Sequence, residues 1–225
     1  MSKLAIIFSS EDTGLQSKAA QLCGKYDAAA QTYKSFSRFY CHDYLSGGIP
    51  AQSQTYLFNT AAYNTLRAAQ IKPKVLAGYS LGEVCAISAS LNNSLMGLGV
   101  INACASLLAE HPGTQLHSAG MWHIAYAIEP IIKHSIPGMV STHGYDLYSN
   151  VSGLMYKKFT YLPDYFRLMM CMPQQWDFLV RNMLADGVDS IICIGSVPGL
   201  DKCGIQTDTI TDADSLQCVL DKYKI

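Results

Sequence analysis

The sequence predicts an α/β fold, a single domain spanning 1–225 around a mostly parallel sheet. Two observations carry that expectation. Short apolar runs, Leu4–Phe8 (LAIIF), Val75–Ala77 and Ser190–Ile194 (SIICI), each end in a glycine- or serine-containing turn. Between them lie longer segments whose apolar residues recur at helical spacing. Strands that alternate with helices favour parallel pairing through helical crossovers.

The elements follow in order. Leu4–Phe8 is a buried strand that stops at Ser9-Ser10-Glu11-Asp12, and a helix begins near Leu15 and runs to Tyr26. Residues 27–50 are aromatic and polar, closing on Ser46-Gly47-Gly48 and Pro50. From Gln54 to Gln70, Leu57, Ala61, Leu66 and Ala69 share one helix face. Val75–Ala77 is the next strand, leading into Gly78-Tyr79-Ser80-Leu81-Gly82 and a helix with Val84, Ile87 and Leu91 on one side. Leu95–Leu108 reads as helix. Asp146–Gly153 reads as a strand leaving into a loop. Gln174–Asp186 is helical, with Trp176, Leu179, Val180 and Leu184 as its apolar stripe, and Ser190–Ile194 is a buried strand.

Composition excludes several classes. Hydrophobic residues make up 49% and charged residues 15%, a balance unlike that of disordered chains. The formal net charge is −1 and no Lys/Arg run stands out, so no nucleic-acid groove is expected. No apolar stretch reaches about 18 residues, so no membrane span is expected, and the apolar run at the start is too short for a secretory core. The eight cysteines contain no CxxC pair and offer neither a zinc ribbon nor a thioredoxin-type motif. A cytoplasmic location and reduced, structural thiols are the expectation. His111, His117 and His123 recur every six residues without a carboxylate pair, so no metal site is expected. The Met-rich Leu168–Met172 reads as adaptable core.

The chemistry is carried by Gly78–Gly82 (GYSLG), which matches G-x-S-x-G between a strand and a helix. A turn this tight needs small flanking residues, and it projects Oγ beyond the carboxyl end of the sheet. The helix that follows turns free N–H groups and its positive end toward a developing oxyanion. A nucleophilic serine needs a base. The last histidine is His143, and no Asp lies between it and Ser80, so a Ser-Asp-His triad in the usual order lacks material. A Ser–His dyad, its imidazole oriented by a backbone carbonyl, fits better.

These residues also resemble those of the malonyl-CoA:acyl-carrier-protein transacylases. Gly78–Glu83 (GYSLGE) resembles GHSLGE, and Lys3–Gly14 stands where that family has its opening strand and FPGQGSQ loop. Ser53–Phe58 resembles T-Q-P-A-x-F, and Tyr148–Gly153 (YSNVSG) resembles S-N-V-T-G. Pro173–Leu200 resembles the block P-V-R-W…G-V-D…E-V-G-P-G…L. The matches run from residue 3 to about 204 in family order. The resemblance implies a three-layer α/β-hydrolase-like core. It implies acyl transfer from acyl-CoA, a substrate rather than a bound cofactor, through Ser80 to an acyl carrier protein in fatty-acid or polyketide synthesis. It places the oxyanion hole on the N–H groups of Leu81 and Glu11, Gln54 near the acyl pocket, and the orienting carbonyl near Met169. The base is assigned to His134, whose segment Lys133–Met139 resembles A-F-H-S-P-x-M with one residue extra. His123 is the rival, although Gly120–Ala125 looks more like the strand opening the family's small subdomain.

The chain also departs from that pattern. The Ser80–His134 stretch is short, so the family's ferredoxin-like subdomain is expected to be largely missing beyond its first strand, leaving a reduced insert at about 107–145 and an open cleft. The arginine that grips a malonyl carboxylate falls near Ala105, and no arginine occurs between Arg67 and Arg167, which argues against malonyl selectivity. Tyr79, Glu11 and Met169 replace a His and two Gln. Three readings stay open: transfer to a carrier protein, hydrolysis of carrier thioesters, and a non-catalytic docking subunit of a synthase. A partner subunit covering the cleft is compatible with each. Lys133, Lys157 and Lys158 are candidates for meeting an acidic carrier.

Overall fold

A computed structural model describes residues 2–10, 15–46, 48–130, 144–156 and 162–223. Five strands, β1 (Leu4–Phe8), β2 (Val75–Gly78), β3 (Asp146–Leu147), β4 (Ser190–Ile194) and β5 (Gln206–Ile210), form one sheet in the order β3-β2-β1-β4-β5. Every neighbouring pair is parallel. Among the described residues the α-helices are α1 (Leu15–Lys25), α2 (Asp27–Tyr40), α3 (Ala51–Ala68), α4 (Gly82–Ser90), α5 (Ser94–Glu110), α6 (Leu162–Cys171), α7 (Trp176–Ala185) and α8 (Ala213–Tyr223).

Alternation along the strands divides the core into two faces. Ile6, Phe8, Leu76, Ile192 and Ile194 pack with the apolar sides of α1–α6 and α8. Ala5, Ile7, Val75, Ala77, Ile191 and Cys193 pack against Trp176, Leu179, Val180 and Met183 of α7. Both faces of a parallel sheet are therefore covered, which is why β1, β2 and β4 are unbroken apolar runs. Two helix layers flank one sheet, the predicted three-layer arrangement. β3 and β5 are the edge strands, and Gln206–Ile210 of β5 buries fully only Ile210.

The fold adds elements that the sequence reading left out. Residues 27–40 form α2, with Ala29, Tyr33 and Phe36 buried at helical spacing. β5 and α8 follow the last predicted strand. Gly120–Ala125, expected as the first strand of a small subdomain, instead lies in 3₁₀ turns at Ala119–Met121 and Ala125–Ile128. Met121 and Ala125 are both fully buried while Trp122 and His123 are exposed. That four-residue recurrence is a helical period, and a strand would have buried alternate residues. Among the described residues there is no second sheet.

Candidate active site

β2 delivers the chain to the centre of the sheet's carboxyl edge, where it must reverse at once into α4. Ser80 takes the reversal with φ 51°, in the left-handed region that a non-glycine residue seldom occupies. The turn closes with bonds from Gly82 N–H to Tyr79 O at 2.9 Å and from Glu83 N–H to Ser80 O at 3.0 Å. Glycine is required at both ends by closeness. A Cβ on Gly78 would lie 2.1 Å from the Gly82 carbonyl carbon, and one on Gly82 would lie 2.1 Å from Phe8 O. The helix therefore starts directly against β1, and Ser80 is 8% exposed at its tip. The Leu81 N–H, free of the helix ladder by position, has no backbone acceptor among the described residues.

The partner of Ser80 is His117. Its Nε2 lies 2.7 Å from Ser80 Oγ, and its Nδ1 lies 2.8 Å from the carbonyl oxygen of Met169. A carbonyl only accepts, so Nδ1 carries the proton and Nε2 is left as a bare acceptor aimed at the hydroxyl. The backbone repeats the attachment, with His117 N–H donating to Met170 O at 2.6 Å. His117 also sits at positive φ, 61°. Both members of the pair are thus held in conformations that surrounding contacts must impose. Burial depresses the imidazole's pKa below its usual value, outweighing the opposing bonds to the backbone of Met169 and Met172. The ring therefore stays neutral at physiological pH and ready to take a proton.

Two further contacts fix the elbow. Gln174, between α6 and α7, accepts the Ser80 N–H through Oε1 at 3.0 Å. Tyr79 meets Trp176 edge to face, with ring centroids 5.3 Å apart, which packs α7 beside the nucleophile.

Of the residues named from sequence, the structure joins three. Ser80 is at the elbow, Leu81 follows it, and the Met169 carbonyl orients an imidazole. Gln54 stands in the first turn of α3 and donates to Ile49 O at 3.0 Å; no hydrogen bond ties it to Ser80. Glu11 and His134 lie outside the described residues, as do Lys133, Lys157 and Lys158. His123 is exposed. The imidazole seen against Ser80 is that of His117, which the sequence reading had not offered as a base. The signal was present: Leu116-His117-Ser118-Ala119-Gly120-Met121 keeps the spacing of the F-H-S-P-x-M segment with no residue inserted, and only its missing proline hid it. Gln174 carries no motif of its own.

The carboxylate clamp is absent from its expected place. Ala105 is buried in α5 at 7% exposure. Arg167 is engaged elsewhere, 3.0 Å from Asp164 and 3.6 Å from Glu129, with its guanidinium 4.2 Å from the centre of the Tyr126 ring.

Behind the elbow, Glu83 is fully buried three residues after the nucleophile. Its Oε1 accepts from the Tyr165 hydroxyl at 2.5 Å, the Asn150 N–H at 3.1 Å and the Tyr156 hydroxyl at 3.3 Å. Burial pushes its pKa up to about 7, against the lowering effect of those donors, Tyr165 first. Asn150 Nδ2 also donates to the Gly78 carbonyl at the start of the turn.

The fold that carries these contacts is shared with solved acyltransferases. The malonyl-CoA:acyl carrier protein transacylase of Xanthomonas oryzae superposes with a TM-score of 0.82 at 14% identity, covering 100% of this chain and 99% of that one. A malonyl-transacylase solved in complex with a type II polyketide synthase acyl-carrier protein gives 0.81 at 14%, covering 98% and 100%. The fold is that of the malonyl-CoA:acyl-carrier-protein transacylases. An acyltransferase domain from the second module of the salinomycin polyketide synthase shares it as well, at 0.79 and 12% identity, covering 99% of this chain and 72% of that one. No family model and no curated protein matches the sequence.

Proposed function

We propose that the protein is an acyltransferase that carries its acyl group on Ser80, with His117 as general base. The observation that carries this reading is the chain of contacts from Ser80 Oγ to His117 Nε2 at 2.7 Å and from Nδ1 to Met169 O at 2.8 Å, on a strained strand–turn–helix elbow. His117 takes the hydroxyl proton as Oγ attacks the thioester carbonyl of an acyl-CoA. The Leu81 N–H and the positive end of α4 stabilise the tetrahedral oxyanion. As the C–S bond breaks, His117 returns the proton to the departing thiolate, leaving acyl-Ser80 and free CoA. The second half runs in reverse: an incoming phosphopantetheine thiol gives its proton to His117, its sulfur attacks the ester, and Ser80 recovers the proton. The solved acyltransferases of this fold, one of them bound to an acyl-carrier protein, support a carrier protein as the acceptor. The buried Ala105 and the engaged Arg167 favour acyl groups without a terminal carboxylate.

The test is intact mass after incubation with acetyl-CoA, malonyl-CoA and a medium-chain acyl-CoA. An acyl adduct is expected on the wild type, absent in Ser80→Ala, lost in His117→Ala and retained in His134→Ala. Discharge by a carrier protein would establish transfer. Release of free acid without a lasting adduct would replace transfer by hydrolysis. No reaction with any thioester would leave a docking subunit as the reading.

A further inference from the structure

Nucleophile and base reach the site on separate elements. Ser80 sits at the start of α4. His117 is held from the other side by the Met169 and Met170 carbonyls near the end of α6. Their 2.7 Å contact thus depends on how α6 stands relative to α4. One short side-chain bond joins the two helices directly. Glu83, in the first turn of α4, accepts from Tyr165 of α6 at 2.5 Å, and Tyr165 lies one helical turn before Met169, on the same face. Ser149 Oγ is 2.8 Å from the Tyr165 hydroxyl, while Asn150 ties the same Glu83 oxygen to the Gly78 carbonyl. Glu83 Oε1 therefore takes bonds from the helix that holds the base and from the loop that holds the turn.

We infer that Glu83 and Tyr165 are positioning residues, a buried strut that sets the Ser80–His117 distance by fixing α6 against α4. This deepens the proposed function and rests on Ser80 and His117 forming the reactive pair. Neither strut residue touches the reacting atoms. Their effect should appear in the reactivity of Ser80 rather than in substrate affinity, because a small misplacement of a base is costly to rate. Tyr156 supplies an internal control. Its hydroxyl reaches the same Glu83 oxygen at a longer 3.3 Å while its ring packs edge to face on Tyr165, with centroids 5.0 Å apart, so Tyr156→Phe keeps that aromatic contact and removes only the weaker hydroxyl bond to Glu83.

The experiment measures the rate at which a fluorophosphonate phosphonylates Ser80. Oγ attacks phosphorus, fluoride leaves, and the hydroxyl proton passes to His117, so the rate reads the pair whatever the natural acyl group. Tyr165→Phe is expected to react about tenfold slower than wild type, Tyr156→Phe within twofold of it, and both to keep the native thermal transition. With an accepted thioester, Tyr165→Phe should lower kcat and leave KM unchanged. Equal rates for Tyr165→Phe and wild type, or equal losses in the two Tyr variants, would overturn the strut. Should Tyr165→Phe fail to fold, Glu83→Gln and Glu83→Ala carry the test. The amide oxygen of Gln accepts the same bonds and should stay within threefold of wild type, with Glu83→Ala at least tenfold slower; equal rates for these two would overturn it. A wild type that reacts with fluorophosphonate but with no thioester would refute acyl transfer, while the strut would still be judged by the same rates.

Discussion

At the scale of single residues, the proposed chemistry depends on holding His117 neutral beside a hydroxyl. Because burial lowers its pKa, the neutral form should persist below the ordinary imidazole midpoint. Acylation is therefore expected to rise with pH along a limb centred below about 6.5, and a pH–rate profile of kcat/KM measures it. His117→Ala should lower acylation by roughly 10²–10⁴-fold while leaving the thermal midpoint nearly in place, since the ring is only partly buried. Glu83 has the opposite displacement. Its folded pKa is about 7 against an ordinary 4.5, so folding favours the protonated acid. Stability from this residue is full below about 4.5 and lost as pH rises through about 7. The thermal midpoint should thus fall between those values in wild type and vary less in Glu83→Gln, which scanning calorimetry across that range would read.

At the scale of elements, the elbow is a problem of clearance. β2 must turn into α4 while the helix start lies against β1, and only glycine leaves room, with Phe8 O 2.1 Å from where a Gly82 Cβ would stand. Gly82→Ala should cost roughly 1–3 kcal/mol through overpacking against backbone that has little freedom to retreat. At about 2–4 °C per kcal/mol for a domain of this size, thermal denaturation would detect it. Acylation should fall further than stability does, because the displaced helix start carries the proposed oxyanion donor. α6 is the matching element on the other side, giving its C-terminal carbonyls to the base and Tyr165 to the nucleophile's helix.

For the whole molecule, the two-faced sheet decides which thiols can react. Cys85, Cys104 and Cys193 are buried, and burial raises each thiol to about 12. Cys41 and Cys218 are exposed. Alkylation of the native protein at neutral pH should mark Cys41 and Cys218 first and spare Cys85, Cys104 and Cys193 until denaturant is added, with peptide mass spectrometry as the readout. Labelling of Cys193 in the native state would contradict the packing of α7 over β4.

Local chemistry was readable from the chain. The apolar runs of β1, β2 and β4, the strand–GYSLG–helix junction and the stripe of α7 are each written within a few adjacent residues, so sequence alone determined the fold class and placed Ser80 on the turn between β2 and α4. The family resemblance implied a carbonyl near Met169 behind a base, and the structure puts the Met169 carbonyl 2.8 Å from His117 Nδ1. What it left undecided depends on distances across the fold. His117 is 37 positions from Ser80, and several histidines stand at plausible separations; only the path of the chain after α5 selects one. α2 was hidden because Ala29, Tyr33 and Phe36 make a sparse stripe among polar residues, and it becomes helical by packing on α3. Gln174 and Tyr165 carry no local signature, since their roles exist only once α6 and α7 are laid against the elbow. Patterns of neighbouring residues specify elements; which side chains meet between those elements is set by tertiary packing.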